Sequence, residues 1–127
     1  MRNIYIILPL LFMSCAVHTN YHNEKLKNYF QEQWEQGLKD YPEFATYLGD
    51  HRYNDRLTDM SIKSLLKRQI KTKESYNEIL AINRTKLSSE YKLYFDLYAD
   101  KLKNEIERQQ FKEYLMPINQ MGGIQID

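Results

Sequence analysis

Apolar residues recur at steps of three and four along most of this chain, a spacing that suits helices and little else. Between Glu24 and Leu38, the residues Leu26, Tyr29, Phe30, Trp34 and Leu38 keep it, with Lys, Gln and Glu between them. Such a segment is an amphipathic helix with one face to bury. Ser61 is a good N-cap for a second stripe of Ile62, Leu65, Leu66, Ile70, Tyr76, Ile79 and Leu80, running to about Ile82. After a short connection from Asn83 to Leu87, Ser88 caps a third. Here Tyr91, Phe95, Tyr98, Leu102 and Ile106 repeat, and Tyr94 and Leu97 widen the stripe. A tyrosine-rich stripe of this kind is more often core and interface than a cofactor box.

The breaks between these stripes are equally specific. Asp40-Tyr41-Pro42 stops the first helix and starts a short one, because proline suits a first helical turn, where its missing N–H is not needed. Phe44, Ala45, Tyr47 and Leu48 give that two-turn helix an apolar side, and Gly49 can take the left-handed conformation that ends it. The predicted fold is mainly α, with three long antiparallel helices and one short one. Near the C-terminus the pattern changes. Pro117 breaks the helix, Gly122-Gly123 makes a turn, and Ile124 and Ile126 alternate with Gln125 and Asp127 as in a strand. A strand needs a partner, and nothing upstream offers one, so residues 24–127 read as the helical N-terminal part of a larger domain.

The segment Asp50 to Asp59 (DHRYNDRLTD) holds three aspartates, two arginines and a histidine. Asp50, His51, Asp55 and Asp59 present donors for a cation or a polar substrate. The commoner use of such residues, favoured here, is to pair Asp with Arg and to cap neighbouring helices. His18 and His22 stand four apart, but no helix signal covers both and no third ligand is near, which argues against a metal site.

The first residues carry a different message. One positive side chain, Arg2, precedes an apolar run from Ile4 to Met13 that is interrupted only by Pro9. That is the layout of a secretory signal. A membrane-spanning helix needs roughly 20 apolar residues, more than this run holds. The run ends at Ser14-Cys15-Ala16, and Phe12-Met13-Ser14-Cys15 resembles the bacterial lipobox, with bulkier residues at Phe12 and Met13 than that motif usually holds. In such a motif the thiol takes a diacylglyceryl thioether before cleavage leaves it as the new N-terminus. Residues 1–14 then form the signal peptide, Cys15 is the lipidation site, and residues 15–23, without periodicity, form a flexible tether; the competing reading is an ordinary leader cut elsewhere, with Cys15 a buried thiol. Cys15 is the only cysteine, so no intramolecular disulfide competes for it. A multiply acylated N-terminus holds a protein on a bilayer essentially permanently, at roughly 0.8 kcal/mol per buried methylene. Ala16 lacks the aspartate associated with inner-membrane retention, which points to the periplasmic side of the outer membrane.

Charge narrows the partners. The 18 basic residues include Arg2, so cleavage before Cys15 leaves the 17 acidic residues matched one for one. That balance argues against nucleic acid, which needs a clustered basic excess, and gives no reason to invoke an anionic membrane surface. The basic run from Lys67 to Glu74 reads as a solvated helix face.

Three stretches remain: YPEFATYLGDHRYNDRLTD from Tyr41 to Asp59, the Leu87-Ser88 helix start, and YLMPINQMGGIQID from Tyr114 to Asp127. Together they resemble the N-terminal region of the family called domain of unknown function 885, over about Glu24 to Asp127. Many of its members are bacterial lipoproteins. Full-length members are several times longer, mostly helical, and similar to zinc metallopeptidases with a His-Glu-x-x-His helix in their later part. The resemblance therefore implies a hydrolase whose zinc centre lies after Asp127. With histidines only at 18, 22 and 51, this segment holds no cofactor and no catalytic residue of its own. It implies further that these helices wall a cleft, with Asn119, Gln120, Gly122 and Gly123 as candidate contacts to a peptide substrate. A plain turn with locally satisfied amides is the competing reading of those four residues. The competing reading of the whole chain is a small stand-alone helical lipoprotein that acts as a binding or scaffolding module.

Overall fold

The computed structural model describes residues 7–115 and, within them, the side chains from Thr19 onward except that of Glu113. Four α-helices carry the described chain: α1 (Ile7–Asp40), α2 (Pro42–Tyr47), α3 (Ile62–Leu80) and α4 (Ser89–Arg108). Short 3-10 turns lie at His51–Tyr53, Arg84–Lys86, Gln109–Phe111 and Glu113–Leu115. No strand occurs among the described residues. The strand-like tail and the Gly122-Gly123 turn lie outside them.

Helix boundaries follow local chemistry. The Ser61 hydroxyl accepts from the Ser64 N–H and opens α3, and the Ser88 hydroxyl faces the Tyr91 N–H in the same way at the start of α4. Pro42 is the first residue of α2. That helix ends on Gly49 at φ 86°, with Gly49 N–H donating to the Thr46 carbonyl and Asp50 N–H to that of Ala45, both at 2.9 Å. This pair of bonds is the Schellman closure, which places its last residue in the left-handed region.

The first helix is longer than the apolar spacing indicates. It begins at Ile7, so the segment read as a flexible tether has a helical backbone, and His18 and His22 share that helix. Leader and tether lack the three-four pattern because one is uniformly apolar and the other polar. Neither contains a residue that forbids a helix, since Pro9 falls in the first turn, where no N–H is required. No helix of the described residues is long and apolar enough to cross a membrane.

α1 and α4 each run antiparallel to α3 around one core. Leu26 and Tyr29 of α1, Ile79 of α3, and Phe95 and Leu102 of α4 are buried together, and Ile82 and Leu87 close the end of the cluster from the connection between α3 and α4. Leu26 and Ile79 are fully enclosed, each contributing about 1.5–3 kcal/mol of hydrophobic stabilisation. The buried Tyr29 hydroxyl donates to the Ser75 carbonyl at 2.7 Å, and the Ser75 hydroxyl donates to Gln33 Oε1 at 2.9 Å. Burial, reinforced by the nearby Tyr98 and Glu78, pushes the Tyr29 phenol well above its ordinary range. At one end of the bundle Asn23 Oδ1 accepts from the Ser88 N–H, and at the other Gln109 Nε2 donates to the Gln69 carbonyl. A second, smaller core of Leu38, Ala45 and Tyr53 fastens α2 and the turn after it to the end of α1.

The apolar stripes are wider than these cores. Trp34, Phe44, Leu48, Ile62, Leu66, Ile70, Leu80, Tyr94 and Leu97, all expected to face inward, are exposed. Three helices around one axis cover only the strip of each that faces the other two, so the flanks of a broad stripe stay outside.

Candidate functional site

The charged segment after α2 is held by its own residues. Asp50 accepts from the Arg52 backbone N–H and takes its guanidinium through both oxygens, which holds the Asp50 carboxyl below its usual range. Arg52 also reaches Glu35 of α1 at 2.9 Å. Asp55 pairs with Arg56, and His51 Nδ1 lies 3.3 Å from Asn54 Nδ2. Glu43 of α2 receives both the backbone N–H and the hydroxyl of Thr58. Asp59 accepts from the Ser64 hydroxyl and the Ser61 N–H, and these bonds bring its carboxyl down to about 2. The aspartates thus pair and cap, and the segment is a clasp that fixes α2 between α1 and α3.

A second feature is apolar and open. A groove of about 710 Å³ runs between α1 and α4. Its wall on α1 is built from Phe30, Trp34 and Gly37, α2 adds Phe44, and α4 adds Tyr94, Leu97, Tyr98 and Lys101. Phe30 and Tyr98 meet edge to face at 5.1 Å, Trp34 and Phe44 at 6.2 Å, and Tyr98 packs against the buried Tyr29 at 5.9 Å. The floor is therefore preordered by ring packing. The rim is open, with Trp34 50 %, Phe44 48 % and Leu97 62 % exposed. Beyond its chain neighbours and the adjoining backbone of its own helix, no atom lies within 4 Å of where a Cβ on Gly37 would stand, so the groove is open above the α1 backbone. The charged group within it is the Lys101 ammonium, 5.4 Å from the Tyr98 ring centroid. Burial, then the charge of Glu105, raises the Tyr98 phenol above its ordinary range. Such a surface can take an apolar or aromatic segment of polypeptide, with one cation to meet a carbonyl or carboxylate.

None of the residues singled out by sequence as candidate sites is among the described residues that line this groove. Cys15 lies on α1, with its side chain outside the description. Asn119, Gln120, Gly122 and Gly123 lie outside the described residues. Among the described residues no group of three His, Cys, Asp or Glu side chains is placed to hold a metal ion, and in the charged segment Asp50 is engaged by Arg52 and Asp55 by Arg56. The groove itself escaped the sequence reading. Its signal was the widening of the α4 stripe by Tyr94 and Leu97, together with Trp34 and Phe44 on the elements before it.

Comparison of the chain with protein-family models, with curated proteins and with solved structures gives no match.

Proposed function

We propose that this chain is the N-terminal helical region of a lipid-anchored cell-envelope protein, tethered through Cys15. The parent belongs to the domain of unknown function 885 family and is a zinc metallopeptidase-like hydrolase. Its metal-binding His-Glu-x-x-His helix follows Asp127. The helices described here wall the substrate cleft, and the Asn119 to Gly123 stretch lies along it. The anchor faces the periplasm from the outer membrane.

The observation that carries the reading is the aromatic groove between α1 and α4. A small protein seldom leaves Trp34, Phe44, Tyr94 and Leu97 together in contact with water, and contiguous apolar patches of this kind mark surfaces that another segment or a ligand covers. The leader ending at Cys15 and the two long motifs around Asp50 and Gly122 supply the rest of the support. Reading the codons that follow Asp127 tests the proposal. A His-Glu-x-x-His motif within the next several hundred codons is the expected result, and an immediate stop codon would leave the stand-alone helical module in its place.

A further inference from the structure

Net charge hides a second surface. Lys63, Lys67 and Lys71 follow one another at steps of four along α3, and Ile62, Leu66 and Ile70 run beside them at the same step. The three aliphatic residues are 60 %, 43 % and 58 % exposed. Lys63, Leu66, Lys67, Ile70 and Lys71 line one shallow surface with Glu74 as its carboxylate. Among the described residues no ion pair engages Lys63, Lys67, Lys71 or Lys73. The patch continues toward α1, where Lys39, Arg56 and Arg68 join Lys67 and Lys71 around a cleft that also holds Leu57, 77 % exposed. Two acids border that cleft. Asp40 is hydrogen-bonded by Gln36 at 2.9 Å, and Asp59 is engaged by the Ser61 N–H and the Ser64 hydroxyl at the start of α3. A chain of formal charge +1 thus sets three lysines without an ion pair on one face of α3, interleaved with bare aliphatic side chains.

We infer that the outer face of α3 seats on an anionic phospholipid bilayer, with Lys63, Lys67 and Lys71 against headgroup phosphates and Ile62, Leu66 and Ile70 at the acyl boundary. Charge complementarity selects the anionic headgroups. The aliphatic stripe selects a bilayer over a nucleic acid, whose phosphates reward no burial of isoleucine. Lysine suits this position because its apolar stem can lie along the hydrocarbon edge while the ammonium stays at headgroup level. Helices with a basic flank and an aliphatic crest lie in the interface in this way. The contact is independent of the lipid proposed on Cys15. Given both, the bundle lies down on its membrane, since Cys15 and the Gln36 turn of α1, which borders the same basic cleft, are about 30 Å apart at 1.5 Å per residue.

The test uses the full chain carrying Cys15→Ala, which cannot be lipidated, and sedimentation with vesicles of phosphatidylcholine alone or with one third phosphatidylglycerol. Roughly a fivefold gain per lysine predicts a preference for the anionic vesicles on the order of a hundredfold. It should collapse at about 0.5 M salt, where screening shortens to a few ångströms. Residues Ile4 to Met13 add the same apolar affinity for both vesicles, and Arg2 adds the same charge to parent and variants, so the change in ratio on replacing the three lysines reads the basic face. The variant K63E/K67E/K71E should bind both vesicles alike while keeping the helical circular dichroism of its parent. Should it misfold, K63Q/K67Q/K71Q gives the same reading without new acidic charge. Leu66→Ser with Ile70→Ser should weaken binding and leave its salt dependence. Equal binding to both vesicles by the parent would overturn the inference, as would a folded glutamine variant that keeps the preference. Displacement from the vesicles by polyglutamate or an oligonucleotide at lower concentration than by free phosphatidylglycerol vesicles would overturn it in favour of a macromolecular polyanion.

Discussion

Truncating one enclosed aliphatic side chain on α3 and one exposed one on α4 separates what this bundle buries for itself from what it leaves for something else. Ile79 has no exposed surface and sits among Leu26, Phe95 and Leu102. Ile79→Ala removes three carbons from an enclosed site and should cost about 2–5 kcal/mol, the transfer of the lost atoms plus the cavity they leave. Leu97 keeps 62 % of its surface exposed. Full burial of a leucine contributes about 1.5–3 kcal/mol, so Leu97→Ala should cost about 1 kcal/mol or less in residues 16–127. The exposed share, about 1–2 kcal/mol, is what a covering segment would add. In a parent chain whose later residues close the groove, Leu97→Ala should therefore cost about 1–2 kcal/mol more than in the short chain. Urea unfolding of both variants in both lengths measures this, provided the slope with urea is unchanged by the mutation. An equal cost of Leu97→Ala in the two lengths would refute the covering argument. A cost of Ile79→Ala below about 1 kcal/mol would refute the core assignment.

Three further outcomes follow from single positions. Gly49→Ala should destabilise by about 1 kcal/mol in thermal melts, because φ 86° is costly for any L side chain while the space around a new Cβ is empty. Gly37→Ala should stabilise by about 0.5–1 kcal/mol in the same melts, since Gly37 lies inside α1 and an added Cβ meets nothing within 4 Å. The Asp59 carboxyl is lowered to about 2 from 3.8, so the stability it lends is fully present above the unfolded value and fades as pH falls from about 4 toward 2. A carbon-detected titration should place its midpoint near that lower value, and Asp59→Asn should remove this limb of the acid unfolding curve; a midpoint in the ordinary carboxylate range would show that the cap is not formed.

Much of the fold is legible in the sequence because the signals are local. Ser61, Ser88, Pro42 and Gly49 act on their own turns, and each marks the boundary it suggests. The spacing of Leu26, Tyr29, Phe95 and Leu102 likewise carries the core. What periodicity cannot carry is the identity of the neighbour. Trp34 and Leu97 share the spacing of Tyr29 and Phe95, and only the placement of three helices around one axis decides which are covered. Leu87 is buried although it lies in a connection, where no helical spacing singles it out. The early start of α1 is missed for the converse reason, since the leader and the polar residues after it have no alternating face to read. Net charge is likewise silent about the α3 surface. A sum over the chain is blind to Lys63, Lys67 and Lys71 standing together while acids such as Asp50 and Asp96 are committed to arginines elsewhere.

Placement at the cell envelope depends on the proposed acylation of Cys15, which fatty-acid labelling measures. Cells expressing the chain, or its Cys15→Ala variant, are fed labelled fatty acid, fractionated at about 0.5 M salt to release electrostatic attachment, and assayed for label in the protein. Label and membrane retention are expected for the parent and neither for the variant. Label retained by Cys15→Ala, or a parent that leaves the membrane unlabelled, would contradict the acylation of Cys15.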